Sequence, residues 1–213
     1  MSFLVILASY LVGAIPVGYL VGKIGYGLDI RQHGSGNIGS TNVHRVLGAK
    51  AAALVLILDI FKGALAVAGS VWLINGTFSF PVKSGSAGYF LIIVVAMAAI
   101  LGNMFSVFIK GRGGKGVGVA TGVLLFMVPE IMLILLAVWL LVVLTTKYVS
   151  LGSLSIAALF PILVWIFHRQ NIAYLIFAAV ASVLVFFSHR ANIKRLMEGT
   201  ELRFNRKKEE NNG

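Results

Sequence analysis

The sequence predicts an all-α integral membrane protein with seven transmembrane helices, the N-terminus outside and the C-terminus in the cytoplasm. Of the 213 residues, 59% are hydrophobic and the mean hydropathy is +0.95. A soluble domain of this size has no core large enough to bury so much apolar surface. Several apolar runs also reach the length of about 20 residues that a helix needs to cross a bilayer.

Five of the expected spans are long and uninterrupted. The first lies at 3–22, and we expect it to be retained, because it lacks a basic leader and a small-residue cleavage pattern. The others are expected at 49–74, 88–109, 151–167 and 171–188.

The segment 115–146 decides the number of spans. One helix over this length would measure about 45 Å, which is too long for a bilayer. Pro129 and Glu130 in its middle favour two short helices near 115–128 and 130–146. Two helices keep most of the 18 Lys and Arg residues on the cytoplasmic side, whereas one helix would move the basic C-terminal segment outside. We therefore expect one seven-helix membrane domain over 1–204 and a charged, disordered cytoplasmic tail at 205–213.

Composition also excludes several classes of site. The chain has no cysteine, which excludes disulfides, thiolate catalysis and cysteine-based zinc sites. Its seven carboxylates are dispersed, which disfavours a metal centre or a catalytic carboxylate pair, so no metal or cofactor is expected. The basic excess reflects membrane topology, and no nucleic-acid partner is expected.

Two glycine-rich basic loops are the main candidate sites. The segment 31–45, RQHGSGNIGSTNVHR, combines glycines with short polar donors between two arginines, and the segment 111–116 reads GRGGKG. Both precede helices, whose N-termini attract anions, and both fall on the predicted cytoplasmic side. Each contains GxGxxG, but neither follows a strand, so nucleotide binding is not indicated. The alternative is that both are ordinary cytoplasmic loops.

Two further polar features stand in or beside the spans. Asp59 and Lys62 are separated by one helical turn within a span, where charges are costly; a structural ion pair and a direct chemical role are equally compatible with this spacing. His189 ends the last span ahead of Asn192 and Arg195 at helical spacing, and either a polar site or a basic helix end fits that pattern.

The motifs SGNIGSTNVHR, LDIFKG, GGKG, YVSL and HRANIKRLMEGTE, in this order, resemble the bacterial acyl-phosphate:glycerol-3-phosphate acyltransferases. The resemblance covers most of the chain. It implies a monomeric seven-helix enzyme of the inner membrane whose site faces the cytoplasm. Such an enzyme moves a fatty acyl group from acyl phosphate to the sn-1 hydroxyl of glycerol 3-phosphate, releasing lysophosphatidic acid and inorganic phosphate, without coenzyme A or metal.

The resemblance carries the family's motifs onto specific positions. The expected catalytic residues are Ser35, Arg45, His189 and Asn192. The substrate-binding residues implied by the same motifs are Asn37, Gly113, Gly114, Lys115, Gly116 and Ser150. Loop chemistry and the intramembrane charge add Gly34, Gly36, Thr41, Asn42 and Lys62 as substrate-binding residues.

The second motif departs from the family pattern, because Asn103 stands where the family usually has histidine and Ser106 where it has proline. This departure suggests a divergent paralogue. In the expected mechanism Arg45 holds the phosphate of glycerol 3-phosphate, and Lys115 with Ser35 holds the phosphoryl end of the donor. Either His189 or the substrate phosphate takes the hydroxyl proton. A transporter for a phosphorylated small molecule is the alternative, although apolar spans and poor outer loops disfavour it.

Overall fold

The computed structural model describes residues 2–76 and 88–204, and these are helices and loops without a strand. The expected outer connection with Lys83 and the expected tail at 205–213 lie outside the described residues. The helices are α1 (Ser2–Ala14), α2 (Val17–Leu20), α3 (Ser40–Leu47), α4 (Ala49–Asn75), α5 (Tyr89–Met104), α6 (Val117–Met127), α7 (Pro129–Thr146), α8 (Val149–His168), α9 (Ile172–Ser188) and α10 (Arg190–Met197).

Five helical segments of the described chain are long and apolar enough to cross a membrane, and a sixth results if α9 and α10, which meet at 59°, form one span. The helix α6 is also apolar but has only 11 residues. The predicted break in 115–146 is confirmed, because α6 ends at Met127 and Pro129 begins α7. The outward surface is apolar, as Phe3 (73% exposed) and Leu141 (63%) illustrate. This pattern is that of a multi-pass integral membrane protein.

The first span is interrupted at Pro16, between α1 and α2. Proline has no N–H to donate, so it cannot continue the hydrogen-bond ladder of α1. Ser106 Oγ donates to the Ala14 carbonyl, and Lys62 Nζ donates at 2.7 Å to the Ile15 carbonyl, which also accepts the Val17 amide at 3.0 Å. Side chains thus bond the two carbonyls that directly precede the proline. The break is therefore fixed by groups from α4 and from the segment after α5.

Helices α4 and α6 cross closely enough to exclude side chains at the contact. A Cβ atom on Gly63 would lie 2.2 Å from the Val119 carbonyl oxygen, and one on Gly122 would lie 1.9 Å from the Ile60 oxygen. Small residues at such crossings let helix backbones approach each other in a membrane. Gly122 therefore serves the packing of the two helices, and the contact fixes the glycine loop before α6 against α4.

The helix α8 contains Pro161, which leaves the Ala157 carbonyl without its usual amide donor. Ser182 Oγ of α9 donates to that oxygen at 2.7 Å, so the two helices are joined at the proline. At the far end of the bundle His168 Nε2 lies 3.0 Å from Glu130 Oε1, which connects the end of α8 to the start of α7. The opposite ends of these helices, at Ser150 and Thr146, lie near the candidate site.

Candidate functional site

A cavity of about 400 Å³ lies at one end of the bundle, where the loop before α3, the loop before α6, the start of α8 and the segment from His189 converge. The expected site residues that line it are Ser35, Asn37, Thr41, Asn42, Arg45, Gly114, Lys115, Gly116, Ser150, His189 and Asn192. These side chains come from segments far apart in sequence. The fold therefore brings the two glycine loops, the start of α8 and the segment from His189 to one cavity.

Asn42 organises the first loop. Its side chain is almost fully buried, and its Nδ2 donates to the Ile30, His33 and Asn37 carbonyls at 3.3, 3.0 and 2.9 Å. Its Oδ1 accepts the Ser35 amide at 2.7 Å. Both ends of the amide are thus used by loop backbone, so Asn42 shapes the loop that presents Ser35 to the cavity.

Four residues expected to bind substrate do not line the cavity, namely Gly34, Gly36, Gly113 and Lys62. The glycines serve the backbone: Gly34 has a φ of +59°, and a Cβ on Gly113 would lie 2.1 Å from the Asn103 carbonyl oxygen. Lys62 Nζ is 2.9 Å from Asp59 Oδ1 and also holds the Ile15 carbonyl, so its charge serves the helix break. The structural interpretation therefore fits Lys62, whereas its partner Asp59 does line the cavity.

The two arginines that bound the first loop have different surroundings. The Arg31 guanidinium bonds Asp29 at 2.7 and 2.9 Å and stacks on Tyr19, and it does not line the cavity. Arg45 does line it, and its Nη2 donates to the Leu202 carbonyl at 3.1 Å. Its Nε is buried with no hydrogen-bond partner among the described residues. Because an unpaired buried N–H of a cation is costly, Arg45 is suited to receive an anion.

A hydrogen-bond network crosses the floor of the cavity. Lys115 Nζ donates to Asn192 Oδ1, and Asn192 Nδ2 donates to Glu201 Oε1 at 2.6 Å. Glu201 also accepts from Ser150 Oγ at 2.7 Å and from Arg195 Nε at 2.7 Å. Burial raises the pKa of Glu201, but these three hydrogen bonds outweigh burial, so the net pKa lies below its usual value. Glu201 therefore remains an anion that orients Asn192 and Ser150.

Lys115 and His189 are both shifted toward their neutral forms. Burial lowers the pKa of Lys115 to about 8, with Glu201 opposing the shift and Arg195 and Arg45 adding to it. Burial, and then the charge of Lys115, lowers the pKa of His189, which follows the last residue of α9, to about 4. His189 Nδ1 lies 2.8 Å from the Val185 carbonyl oxygen, which requires a proton on Nδ1. In the neutral ring Nε2 is then the acceptor.

Two residues that were not among the expected site residues take part in the site. Glu201 is the last residue of the motif HRANIKRLMEGTE, but its three hydrogen bonds were not visible in the sequence. Asn103, the departure from the family pattern, accepts the Gly116 amide on Oδ1 at 3.1 Å and the Gly114 amide on its carbonyl at 2.9 Å. It therefore fixes the backbone on both sides of Lys115. The only sequence signal for this role of Asn103 is its place: a polar residue at the end of an apolar helix, ahead of a glycine-rich loop.

The cavity has one polar end and one apolar end. The polar end carries Arg45, Lys115 and His189, while the walls toward the membrane come from α4 and α7. Leu56 of α4 and Leu136 of α7 line the cavity and are also 42% and 40% exposed, so the cavity opens sideways between these helices. Such a site suits a molecule with an anionic head and a hydrocarbon tail.

Comparison with known proteins assigns the chain. The family model described as glycerol-3-phosphate acyltransferase matches residues 3–199. The chain belongs to the glycerol-3-phosphate acyltransferase family. The match confirms the resemblance found in the motifs, and it covers every helix described above. The chain is accordingly an acyltransferase of the membrane.

Individual relatives agree with the family assignment. The chain is 46% identical to the glycerol-3-phosphate acyltransferase of Geobacillus kaustophilus over 172 residues, which are 81% of this chain and 80% of the relative. It is 41% identical to glycerol-3-phosphate acyltransferase 2 of Moorella thermoacetica, over 94% of this chain and 96% of the relative.

Solved structures of the family share the fold. The crystal structure of PlsY (YgiH), an integral membrane glycerol 3-phosphate acyltransferase, matches in its glycerol 3-phosphate form with a TM-score of 0.84 and 33% identity, covering 95% of this chain and 94% of that chain. The lysophosphatidic acid form matches with a TM-score of 0.82 and 32% identity over the same shares.

Proposed function

We propose that this acyltransferase moves a fatty acyl group from acyl phosphate to the sn-1 hydroxyl of glycerol 3-phosphate, giving lysophosphatidic acid and inorganic phosphate. The observation that carries the proposal is the buried Nε of Arg45, which has no hydrogen-bond partner among the described residues, in a cavity that also holds Lys115 and opens sideways through apolar walls. One cation suits the phosphate of the soluble acceptor. The other suits the phosphoryl end of a donor whose tail lies among the helices.

Cation placement supports two anion subsites. Burial is the main cause of the lowered pKa of Lys115; Glu201 opposes the shift, and the positive charges of Arg195 and Arg45 add to it, so Arg45 and Lys115 repel each other across the cavity. An anion bound between them relieves that repulsion. We assign Arg45, with Asn37 and Thr41, to glycerol 3-phosphate, and Lys115, with Ser35 and the Gly114 and Gly116 backbone, to the donor.

The transfer needs little beyond positioning. The acceptor hydroxyl oxygen bonds to the acyl carbonyl carbon, and the bond from that carbon to the phosphate oxygen breaks, releasing inorganic phosphate. Acyl phosphate is already activated, so alignment of two anionic substrates is the main task of the protein. Asn192 and backbone N–H groups are the candidate donors to the developing oxyanion.

Two groups are placed to take the hydroxyl proton, His189 Nε2 and the substrate phosphate. His189 is neutral and its Nδ1 is held by Val185, which leaves Nε2 as a base. Replacing His189 by Asn or by Ala tests its part: if Nε2 is the base, both variants lose about 100-fold or more in kcat. Near-full activity of both variants would remove His189 from the mechanism. Activity kept only in His189→Asn would make it an orienting residue.

The proposal includes the membrane arrangement. We infer seven spans with the N-terminus outside, and a cavity on the cytoplasmic side of the inner membrane, because the basic loops gather at the cavity end of the bundle. We also infer a monomer, as the resemblance to the family implies. No metal or cofactor enters the scheme; the described residues include no cluster of metal-ligating side chains.

The proposal is tested with purified protein, glycerol 3-phosphate, and palmitoyl phosphate or palmitoyl coenzyme A in parallel. We expect lysophosphatidic acid and inorganic phosphate from palmitoyl phosphate only. Product from neither donor would contradict the acyl-transfer proposal, and product from coenzyme A alone would contradict the donor assignment. Arg31→Ala is the matched control for Arg45→Ala, because Arg31 lies outside the cavity.

A further inference from the structure

A small apolar pocket, called the branch below, adjoins the cavity and lies inside the bundle between α6, α8 and α9. It adds about 50 Å³ and shares Val117, Thr121, Ser153 and Ile156 with the main cavity. A water-sized site needs about 10–15 Å³, so the branch holds only a few carbon-sized groups. It is therefore an extension for the end of a chain and too small to hold an independent ligand.

The branch is apolar although it contains hydroxyl side chains. Thr121 Oγ1 donates to the Val117 carbonyl at 2.9 Å, and Ser153 Oγ donates to the Val149 carbonyl at 3.1 Å. Ser182 Oγ donates to the Ala157 carbonyl, which lacks its helical amide donor because of Pro161. Every hydroxyl of the branch is thus bonded to helix backbone. What remains for a ligand is hydrocarbon surface.

The branch is closed by two aromatic rings. Phe160 of α8 and Phe177 of α9 are 5% and 3% exposed, and their rings meet edge to face with centroids 6.1 Å apart. Beyond them lies a gap with no room for water, lined in part by Leu124 and Tyr174. The two rings separate the branch from that gap, so removing either ring would lengthen the branch.

The depth of the branch matches a membrane acyl chain. Ser150, at the polar end, and Phe160, at the closed end, are ten residues apart on α8, which is about 15 Å along the helix. One leaflet contributes about half of the hydrocarbon core of about 30 Å. A chain that begins at the acyl-transfer position therefore reaches the rings with its methyl end when it has the length of an ordinary phospholipid chain.

We propose that this branch receives the methyl end of the donor's acyl chain, and that Phe160 and Phe177 set the upper limit of chain length. The inference rests on the proposed function, since it names a specificity determinant for the same acyl transfer. One methylene more or less in a closed apolar pocket changes kcat/KM by about 10- to 200-fold, so the rings are positioned to discriminate chains.

The test compares kcat/KM for lauroyl, myristoyl, palmitoyl, stearoyl and eicosanoyl phosphates in the wild type, Phe160→Ala and Phe177→Ala. In each variant we expect the kcat/KM for the longer donors, divided by the kcat/KM for the shorter donors, to rise by about tenfold or more. Phe167→Ala is the matched control, because Phe167 also lies on α8 but is 51% exposed on the lipid side. Its chain-length profile is expected to equal that of the wild type.

A second measurement covers the case in which the phenylalanine variants fail to fold. The chain has no cysteine, so Ala181→Cys, a small change in the branch wall, can be alkylated selectively. Attached propyl or hexyl groups are expected to shift the preferred donor to shorter chains, and lysophosphatidic acid is expected to slow the labelling. Val183→Cys, on the lipid-exposed face of the same helix, is the control.

The outcomes separate this inference from the proposed function. Active enzyme with an unchanged profile in the phenylalanine variants and in alkylated Ala181→Cys would overturn the inference and leave the chain in the sideways opening between α4 and α7. Wild-type protein without activity on any acyl phosphate would instead contradict the donor assignment. In that case the chain-length profile is measured with acyl coenzyme A donors. Phe160 and Phe177 are expected to set the same upper limit of chain length for those donors.

Discussion

At the scale of single residues, the two arginines of the first loop differ in what surrounds them. Arg45 has a buried Nε at the cavity with no hydrogen-bond partner in the described part of the chain, whereas Arg31 forms an ion pair with Asp29. A hydrogen bond to a charged group contributes about 1.5–3 kcal/mol, so Arg45→Lys is expected to lower kcat/KM for glycerol 3-phosphate about 10- to 100-fold. Arg31→Lys is expected to change it little. Steady-state kinetics with varied glycerol 3-phosphate measures both, and equal effects would contradict the assignment.

Lys115 gives a prediction about pH. Its pKa is lowered to about 8, chiefly by burial, so the free enzyme loses this positive charge as pH rises through 8. The kcat/KM for acyl phosphate, which reports the free enzyme, is expected to fall above that pH. Lys115→Arg keeps its charge at high pH, so the fall is expected to disappear or to move upward. The control is Lys50→Arg, at an exposed lysine, in which kcat/KM is expected to fall above pH 8 as in the wild type. If kcat/KM also falls there in Lys115→Arg, the titrating group is not Lys115.

At the scale of elements, the crossing of α4 and α6 positions the glycine loop. Gly63→Ala would place a Cβ 2.2 Å from the Val119 oxygen, while the same change at Gly69 of α4 meets nothing within 4 Å. We expect Gly63→Ala to lower the free energy of unfolding by about 1–3 kcal/mol through overpacking. Gly69→Ala is expected to be neutral or stabilising by about 0.5–1 kcal/mol, because alanine favours the helix. Thermal unfolding in detergent measures both, and an equal Tm in the two variants would contradict the close crossing.

At the scale of the whole molecule, the arrangement of spans places loops on opposite sides of the membrane. The chain has no cysteine, so single cysteines report their own location. Gln170→Cys, in the exposed turn between α8 and α9, is expected to react with a membrane-impermeant maleimide in intact cells. Arg112→Cys, in the exposed loop before α6, is expected to react only after permeabilisation. Labelling of both from the same side would contradict the seven-span arrangement.

The sequence alone determined the class of the protein and the location of its motifs. Apolar runs of bilayer length, a charge distribution that follows topology, and long motifs such as SGNIGSTNVHR are local properties, and local properties are visible in a linear sequence. For the same reason the break before Pro129 was predicted correctly, and the one-turn spacing of Asp59 and Lys62 indicated that the two side chains can meet, although it left their role open.

The tertiary structure decided which polar groups serve the cavity. Lys62 turned out to hold the Ile15 carbonyl at the Pro16 break, 47 residues away in sequence, and Glu201 turned out to bond Ser150, 51 residues away. No periodicity or motif encodes such partners, because they depend on how the helices pack. Helix packing also determines that Arg45 and not Arg31 lines the cavity. It likewise forms the apolar branch that Phe160 and Phe177 close. Burial and contact over long sequence separation are properties of the folded chain, and only the fold assigns them to residues.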